Sequence, residues 1–186
     1  MSRGSLDTTP AWGFPYASSS VAPGPNASTL LDDDLGGNVA GLGAYLWLDH
    51  AFYAELSGYT AAKVGGNHPL DSSQSAVLSG ISPYWRAGYQ FSWNTNSLFL
   101  GTYGTQMHIF PGTAPDGIAH PLSGPVDRYT DIAGGVEFQH LTDDHQVTVL
   151  ATYIHERQHL EASAAYGIAA NPANDLHTIK ATAEYS

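Results

Sequence analysis

The sequence contains no cysteine, few positive charges and no long hydrophobic run. Without cysteine there are no disulfides, thiolate metal sites, iron–sulfur clusters or haem attached through a Cys-x-x-Cys-His motif. Six Lys and Arg stand against 17 Asp and Glu, and the net charge of −11 argues against nucleic acid as a partner, because phosphates need a basic surface. No stretch approaches about 18 continuous apolar residues, so no transmembrane helix is predicted. The start lacks the apolar core of a signal peptide, so we expect either a removed signal or a piece of a longer chain.

What the sequence does contain is unusual for a soluble domain. Its 186 residues predict one domain, and 42% of them are hydrophobic. Charged residues make up only 12%, about half the usual share of a soluble protein. The chain also has 11 Tyr, 6 Phe and 4 Trp. A soluble surface this poor in charge would be prone to association, so composition already points away from an ordinary soluble protein.

Two segments differ in composition. Residues 1–37 are rich in Pro, Gly, Ser and Ala, and prolines such as Pro10, Pro15 and Pro23 are unfavourable in a central strand. We predict an extended arm or a long loop there. From residue 38 to residue 186 hydrophobicity alternates with a period of two, which is typical of strands with two different faces. This second segment is the predicted antiparallel β-domain.

The period-two segments predict about eight strands. They cover residues 39–48, 52–61, 82–93, 97–109, 127–140, 146–155, 160–167 and 176–186. Most of these strands have 9 to 13 residues. Globular strands average about five or six residues, whereas a strand tilted across a bilayer needs about 9 to 11. The strand lengths therefore favour an outer-membrane type of β-barrel.

Aromatic spacing and turn lengths agree with a barrel. Trp85 and Trp93 share one strand face and lie roughly 26 Å apart along the strand, close to the apolar band of about 25 Å between aromatic girdles. We therefore predict that they are lipid-facing girdle residues. Short turns alternate with the long segments 62–81 and 110–126, as short periplasmic turns alternate with long outer loops. With this alternation the first strand would run from the outside inward. A complete single-chain barrel normally starts from the periplasm, so the alternation indicates a partial barrel.

The opposite strand faces carry the polar side chains. The candidate residues that would line a lumen are Tyr53, Glu55, Tyr84, Arg86, Asp131, Glu137, Lys180 and Glu184. They predict a polar lumen that selects or binds small solutes. Two other interpretations remain open: interior ion pairs that only stabilise a plugged barrel, or a soluble β-sandwich whose polar face meets water.

One motif has a catalytic precedent. His155, Glu156 and His159 match His-Glu-x-x-His, in which a helix places both histidines on one face around zinc and the glutamate activates a water molecule. The preceding residues 147–154 alternate and are β-branched, so they predict a strand, with residues 156–158 at a hairpin tip. The alanine-rich residues 160–165 have helix propensity, which keeps a zinc hydrolase as an alternative. No other cofactor is predicted.

Four runs carry a resemblance to a known family: residues 9–19, 41–45, 82–86 and 153–156. They resemble a family of proteobacterial outer-membrane β-barrel proteins often labelled cytochrome c-like. The resemblance implies a barrel in the bacterial outer membrane, contact with its lipid, and a redox partner protein in a complete, electron-transferring form. It also implies that the chain is an internal segment. The haem motif of such proteins is absent here, so haem is not carried over.

The sequence therefore predicts an all-β fold, an antiparallel meander forming a complete or partial outer-membrane barrel. The leading function is a porin-like conduit for solutes, or the barrel part of an electron-transfer protein. The alternatives are a zinc-dependent hydrolase and a soluble β-sandwich binding module. Enzymatic activity is the less favoured expectation.

Overall fold

The computed structural model describes residues 39–61, 63–64, 68–69, 77–111 and 124–186. These residues contain ten strands and one short helix. The elements are β1 (Val39–Leu48), β2 (Phe52–Ala61), β3 (Lys63–Val64), β4 (His68–Pro69), β5 (Val77–Leu78), β6 (Ser82–Trp93), β7 (Asn96–Phe110), β8 (Asp127–Leu141), β9 (Gln146–His159), α1 (Glu161–Ala165) and β10 (Ala173–Tyr185). The predicted arm at residues 1–37 lies outside the described residues.

One antiparallel sheet contains seven long strands in the order β1-β2-β6-β7-β8-β9-β10. The two-residue strand β5 is its eighth member and pairs with the end of β7, beyond β6. The all-β prediction and the meander are thus confirmed. The sheet is not closed into a barrel: within the described part of the chain, β1 and β10 are its two open edges. A separate two-residue ladder joins β3 and β4.

Short turns cluster at one end of the sheet and long connections at the other. Asp49 and His50 both have positive φ, 49° and 56°, and the amide of Ala51 donates to the Leu48 carbonyl, as in a type I′ hairpin turn. Asn94 has a φ of 49° in the turn between β6 and β7. We call this end the short-turn end, and the end where β2, β7 and β9 finish the long-loop end.

The prediction of a strand over residues 160–167 is wrong. The structure has the helix α1 over Glu161–Ala165, in agreement with its alanine content. The cause lies in a distant residue as well: the buried carboxylate of Asp127 accepts hydrogen bonds from the amides of Ala162 and Ser163, both at 3.0 Å, and from the Ser163 hydroxyl. A strand would leave this carboxylate without those donors.

The prediction of a hairpin tip at residues 156–158 is also wrong. Strand β9 continues through these residues to His159 and pairs with both β8 and β10 along its length. The connection to β10 begins at Leu160, whose amide donates to the Pro172 carbonyl at 2.7 Å. Strand β8 on one side and strand β10 on the other therefore hold residues 156–158 in the sheet.

Two apolar clusters lie on the buried side of the sheet. The first contains Tyr53, Phe99, Tyr103, Ala133 and Ile154 and spans strands from β2 to β9. The second lies at the long-loop end and contains Ala61, Val77, Leu78, Met107 and Ile109. Strand β5 closes over this second cluster. Among the described residues, no helix is long and apolar enough to cross a membrane.

Candidate functional site

The register of the ladders divides the sheet into two faces. Residues paired directly on neighbouring antiparallel strands point to the same side. One row of pairs crosses all seven long strands: Tyr45, Glu55, Arg86, Tyr103, Ala133, Ile154 and Thr178. We call the face that carries this row the inner face, and the face that carries Trp85 the outer face.

The inner face carries every residue proposed to line a lumen. Their positions follow from the strand registers. They are Tyr53, Glu55, Tyr84, Arg86, Asp131, Glu137, Lys180 and Glu184. Most of the polar side chains that the sheet buries are also on this face, including Arg86, Asp131 and Glu137. Strand parity therefore places all the candidates on one face of the sheet, where they lie among the residues of the first apolar cluster.

Arg86 lies near the centre of the inner face. Its guanidinium carbon is 5.8 Å from the ring centre of Tyr53 and 5.9 Å from that of Tyr103, within the range of cation–π attraction. Its Nε and Nη2 atoms are buried and have no hydrogen-bond partner among the described residues. The two rings thus both stabilise this buried cation.

Two carboxylates lie near Arg86 on the same face, Glu55 directly across the ladder and Glu137 within electrostatic range. Glu55 accepts hydrogen bonds from the hydroxyls of Tyr53, at 2.7 Å, and Ser57, at 2.8 Å. Glu137 accepts one from the Gln139 side chain at 2.7 Å. Same-face neighbours two residues apart on one strand hold both carboxylates in place. The negative side chains are therefore fixed in position on the inner face.

Two further carboxylates on the inner face escaped the lumen prediction. Glu156 is fully buried, pairs across the ladder with Asp131, and accepts a hydrogen bond from Gln158 at 2.6 Å. Asp127 holds α1 at the edge of the same face. Extending the period of two past residue 155 would have placed Glu156 inward with Ile154. The inner face of the described strands thus carries six carboxylates and two cations.

The outer face has the opposite polarity to the inner face and carries mainly apolar side chains. Many of its large apolar side chains are exposed, and Leu42 reaches 87%. The others are Leu46, Leu48, Phe52, Leu56, Trp85, Tyr89, Phe91, Trp93, Leu100, Ile132, Val149, Tyr153, Ile179 and Tyr185. Soluble monomers rarely expose contiguous apolar patches larger than a few hundred Å², and larger patches mark contact with a protein or a membrane. The number of exposed apolar side chains on this face therefore points to such a contact.

The apolar surface forms a band across the sheet. One margin is the row of Trp85, which includes Gly104, Ile132 and His155; the other is the row of Trp93, which includes Asn96 and His140. We call the outer-face residues from one row to the other the outer band. Among the described strands, no Asp, Glu, Lys or Arg lies in the outer band. Trp85 and Trp93, as predicted, lie on this face of β6.

Charged side chains on the outer face lie beyond the Trp85 row. They are Arg128, Arg157 and Asp175, all toward the long-loop end. The carboxylate of Asp175 accepts hydrogen bonds from His155, at 3.2 Å, and Arg157, at 3.4 Å. The hydrogen bond from His155, with that from Arg157, lowers the pKa of Asp175 below its usual value. The outer band thus ends in a polar margin.

Aromatic and histidine side chains occupy both margins of the outer band. At one margin the rings of His155 and His177 stack with centres 4.7 Å apart, and His177 is hydrogen-bonded with the Tyr153 hydroxyl at 2.7 Å. At the other margin Tyr185 stacks on His145 and is hydrogen-bonded with it at 2.7 Å. Amphipathic rings of this kind are enriched where an apolar layer meets water.

The His-Glu-x-x-His residues lie on a strand, not on a helix. His155 and His159 point to the outer face, while Glu156 points to the inner face and is buried. At strand spacing the two histidines are roughly 13 Å apart along β9, too far to bind one ion together. In the described part of the chain, no group of three or more His, Asp or Glu is placed to hold a metal ion. This geometry gives the zinc hypothesis no support.

Comparisons with protein-family models, with curated proteins and with solved structures found no match for this chain. The geometry and the polarity of the two faces therefore carry the functional inference.

Proposed function

We propose that this chain forms part of the wall of a transmembrane β-barrel of the bacterial outer-membrane type, with the outer face against lipid. The observation that carries the proposal is the inverted polarity of the sheet: charges on the buried face and an uncharged apolar band on the exposed face. An Arg or Lys facing lipid at the midplane costs about 2–4 kcal/mol. Only the orientation with the outer face toward lipid keeps Arg86 and Lys180 away from the acyl chains.

The soluble alternative fits this polarity less well. A β-sandwich needs a second sheet packed on the apolar face of the first. The described residues form one large sheet and one two-residue ladder, and the outer band is exposed. No observation on these residues favours a redox partner protein or zinc chemistry, so neither is part of the proposal.

Closing this sheet into a barrel requires a particular number of additional strands, odd or even. Six antiparallel pairings separate β1 from β10, so these two edge strands run in the same direction. A closed, fully antiparallel barrel therefore needs an odd number of further strands between them. One such strand would give eight, the smallest size of single-chain outer-membrane barrels. Lipid cannot satisfy the open strand edges, so additional strands are required.

A second copy of the same seven strands does not meet this requirement. Two copies inserted in the same orientation would place β10 of one beside β1 of the other, and these two strands would be parallel. Outer-membrane barrels are antiparallel throughout. We therefore expect the barrel to be closed by strands other than the seven long ones of the described residues.

The inner face would line a pathway for small solutes. Its six carboxylates and two cations give it a net negative charge, and rings of Asp and Glu favour cations in channels. The proposed function is thus a porin-like wall whose interior favours cationic over anionic solutes.

Cysteine scanning tests the wall directly, because the chain has no cysteine of its own. Single cysteines at residues 131–138 of β8 would be labelled in vesicles with a lipid-dissolved and a water-dissolved maleimide. We expect cysteines at positions 132, 136 and 138 to react with the lipid-dissolved reagent. Cysteines at positions 133 and 137 should not react with it. Labelling without alternation, or efficient reaction of Val136→Cys with the water-dissolved reagent, would refute the proposal.

Planar-bilayer recording tests the pathway. With a KCl gradient, the reversal potential should show a preference for K⁺ over Cl⁻, and the double variant Glu55→Gln, Glu137→Gln should reduce it. Asp175→Asn, on the outer face, is the matched control and should leave it unchanged. An anion preference, or an equal effect of the control, would contradict the role of the inner face.

A further inference from the structure

A cavity of about 230 Å³ opens on the inner face at the long-loop end. It lies where β5 takes over from β6 as the neighbour of β7. Its apolar walls include Leu78 of β5 and Met107 of β7, both buried. The rings of Tyr59 and Tyr84 form a further wall and meet edge to face, with centres 6.3 Å apart. The cavity is thus mainly apolar and partly aromatic.

One polar group of this cavity is buried without a hydrogen-bond partner in the described part of the chain. Ser82 lines the cavity and is only 2% exposed, and its hydroxyl has no hydrogen-bond partner among the described residues. Thr105, also in the lining, donates its own hydroxyl proton to the Pro83 carbonyl at 2.8 Å, so its oxygen can only accept another hydrogen bond. A buried hydroxyl without a partner costs about 1–3 kcal/mol. A bound molecule with one hydrogen-bonding group would remove this cost.

The lining also restricts the charge and the size of a ligand. Among the described lining residues none is charged at neutral pH, so the cavity favours a neutral molecule. An apolar cavity of about 150 Å³ is known to bind benzene. A volume of about 230 Å³ therefore accommodates one aromatic ring with a few additional heavy atoms.

We propose that this cavity is a binding site for a small neutral phenol or aromatic alcohol, whose hydroxyl pairs with Ser82 and whose ring packs between Met107 and the two tyrosines. The site goes beyond the proposed conduit, because it retains a ligand instead of passing one. It depends only on the local packing of β1, β2, β5, β6 and β7. It can therefore be tested whether or not the sheet lies in a membrane.

The test exploits the two methionines of the chain, Met1 and Met107. The full chain in detergent micelles, labelled with ¹³C at the methionine methyl groups, would be titrated with 4-fluorophenol. We expect the Met107 methyl resonance to shift and saturate, while that of Met1 stays in place as an internal reference. An unsaturable drift of both resonances, or no shift at Met107, would overturn the proposal.

Substitutions separate the hydrogen bond from simple partitioning. Ser82→Ala should weaken 4-fluorophenol binding about tenfold, the equivalent of one lost hydrogen bond. The same variant should bind 4-fluorotoluene, which has no hydroxyl, within about twofold of the affinity of the unmodified chain. Ser97→Ala is the matched control, since Ser97 lies on the same face toward the short-turn end. Equal effects of Ser82→Ala and Ser97→Ala would contradict the assignment.

If Ser82→Ala does not fold, the unmodified chain still decides the question. Saturation of the 4-fluorophenol ring protons should transfer to the Met107 methyl group and not to Met1. Absence of transfer at ligand concentrations that saturate the shift would rule out the site.

Discussion

Gly104 and Trp85 face each other across β6 and β7 on the outer face. The indole lies directly over the glycine: a Cβ at Gly104 would come within 2.9 Å of two Trp85 ring atoms and 2.7 Å of the Asp131 carbonyl oxygen. Aromatic cover of a strand glycine is a known device for fixing register. Because Gly104 has no side chain, the ring of Trp85 at the margin of the outer band can lie flat against the sheet.

Gly104→Ala should therefore displace the Trp85 ring and lower the free energy of unfolding by about 1–3 kcal/mol, the usual cost of overpacking. Gly134→Ala is the control, because a Cβ there would meet only the Gly101 carbonyl, at 3.9 Å. Urea unfolding of the protein in vesicles, followed by tryptophan fluorescence, measures both. Equal stabilities of the two variants would show that the close contact is not present.

Leu100 and Gln106 share the outer face of β7, but Leu100 lies in the middle of the outer band and Gln106 beyond its Trp85 margin. Leu100→Arg should destabilise the vesicle-inserted protein by about 2–4 kcal/mol, and Gln106→Arg by about 0–1 kcal/mol. Leu100 is 45% exposed, so in a soluble protein its replacement would cost little. Equal folding free energies of the two variants in vesicles would argue against the outer band facing lipid.

At the scale of the element, the described long strands follow from the period of two, and α1 does not. The alternation of Tyr129, Asp131 and Ala133 against Thr130 and Ile132 is sufficient to predict β8 and its faces. The alternation over residues 160–167 predicts a strand wrongly, because the helix there is held by Asp127, 35 residues away from Ala162. Local patterns do not contain that contact.

The end of β9 shows the same limit. Residues 156–158 are polar and resemble a turn, but all three pair with β8 on one side and with β10 on the other; Arg157, for example, pairs with Thr130 and Asp175. The inner-face candidates were predictable because strand parity alone decides the face. Glu156 was missed because the predicted strand ends at residue 155, four residues before the end of β9. The short strands β3, β4 and β5 carry no period and could not be predicted.

Asp127→Ala should unfold α1 locally and reduce the free energy of unfolding by about 2–3 kcal/mol, because the amides of Ala162 and Ser163 lose a charged acceptor. Asp127→Asn keeps one acceptor oxygen and should lose about half as much. Amide hydrogen exchange at Ala162 and Ser163 reports the local effect. Unchanged protection in Asp127→Ala would show that α1 forms without this contact.

At the scale of the whole molecule, the sheet formed by the described residues has an odd number of long strands, and its two edge strands are parallel. Spin labels on β1 and β10, at Leu46→Cys and Ile179→Cys, report how far apart these edges are in vesicles. If one further strand closes an eight-stranded barrel, double electron–electron resonance should give one narrow distance that does not depend on protein concentration, set by two strand spacings across the seam and by the stagger of the tilted strands. A distance that changes with protein concentration would indicate closure by other copies and contradict the strand count.

The central claim is that the outer face lies in lipid and the inner face does not. Trp93 is on the outer face of β6, and Trp47 is on the inner face of β1, where its ring meets that of Tyr53 at 5.6 Å. Two variants, each keeping one of these residues as the only tryptophan and carrying Phe at the other three sites, would be placed in vesicles with brominated acyl chains.

Bromine quenches only indoles that it can approach within the lipid layer. We predict strong quenching of Trp93 and weak quenching of Trp47. Equal quenching of both, or no quenching of Trp93, would contradict the assignment of the two faces.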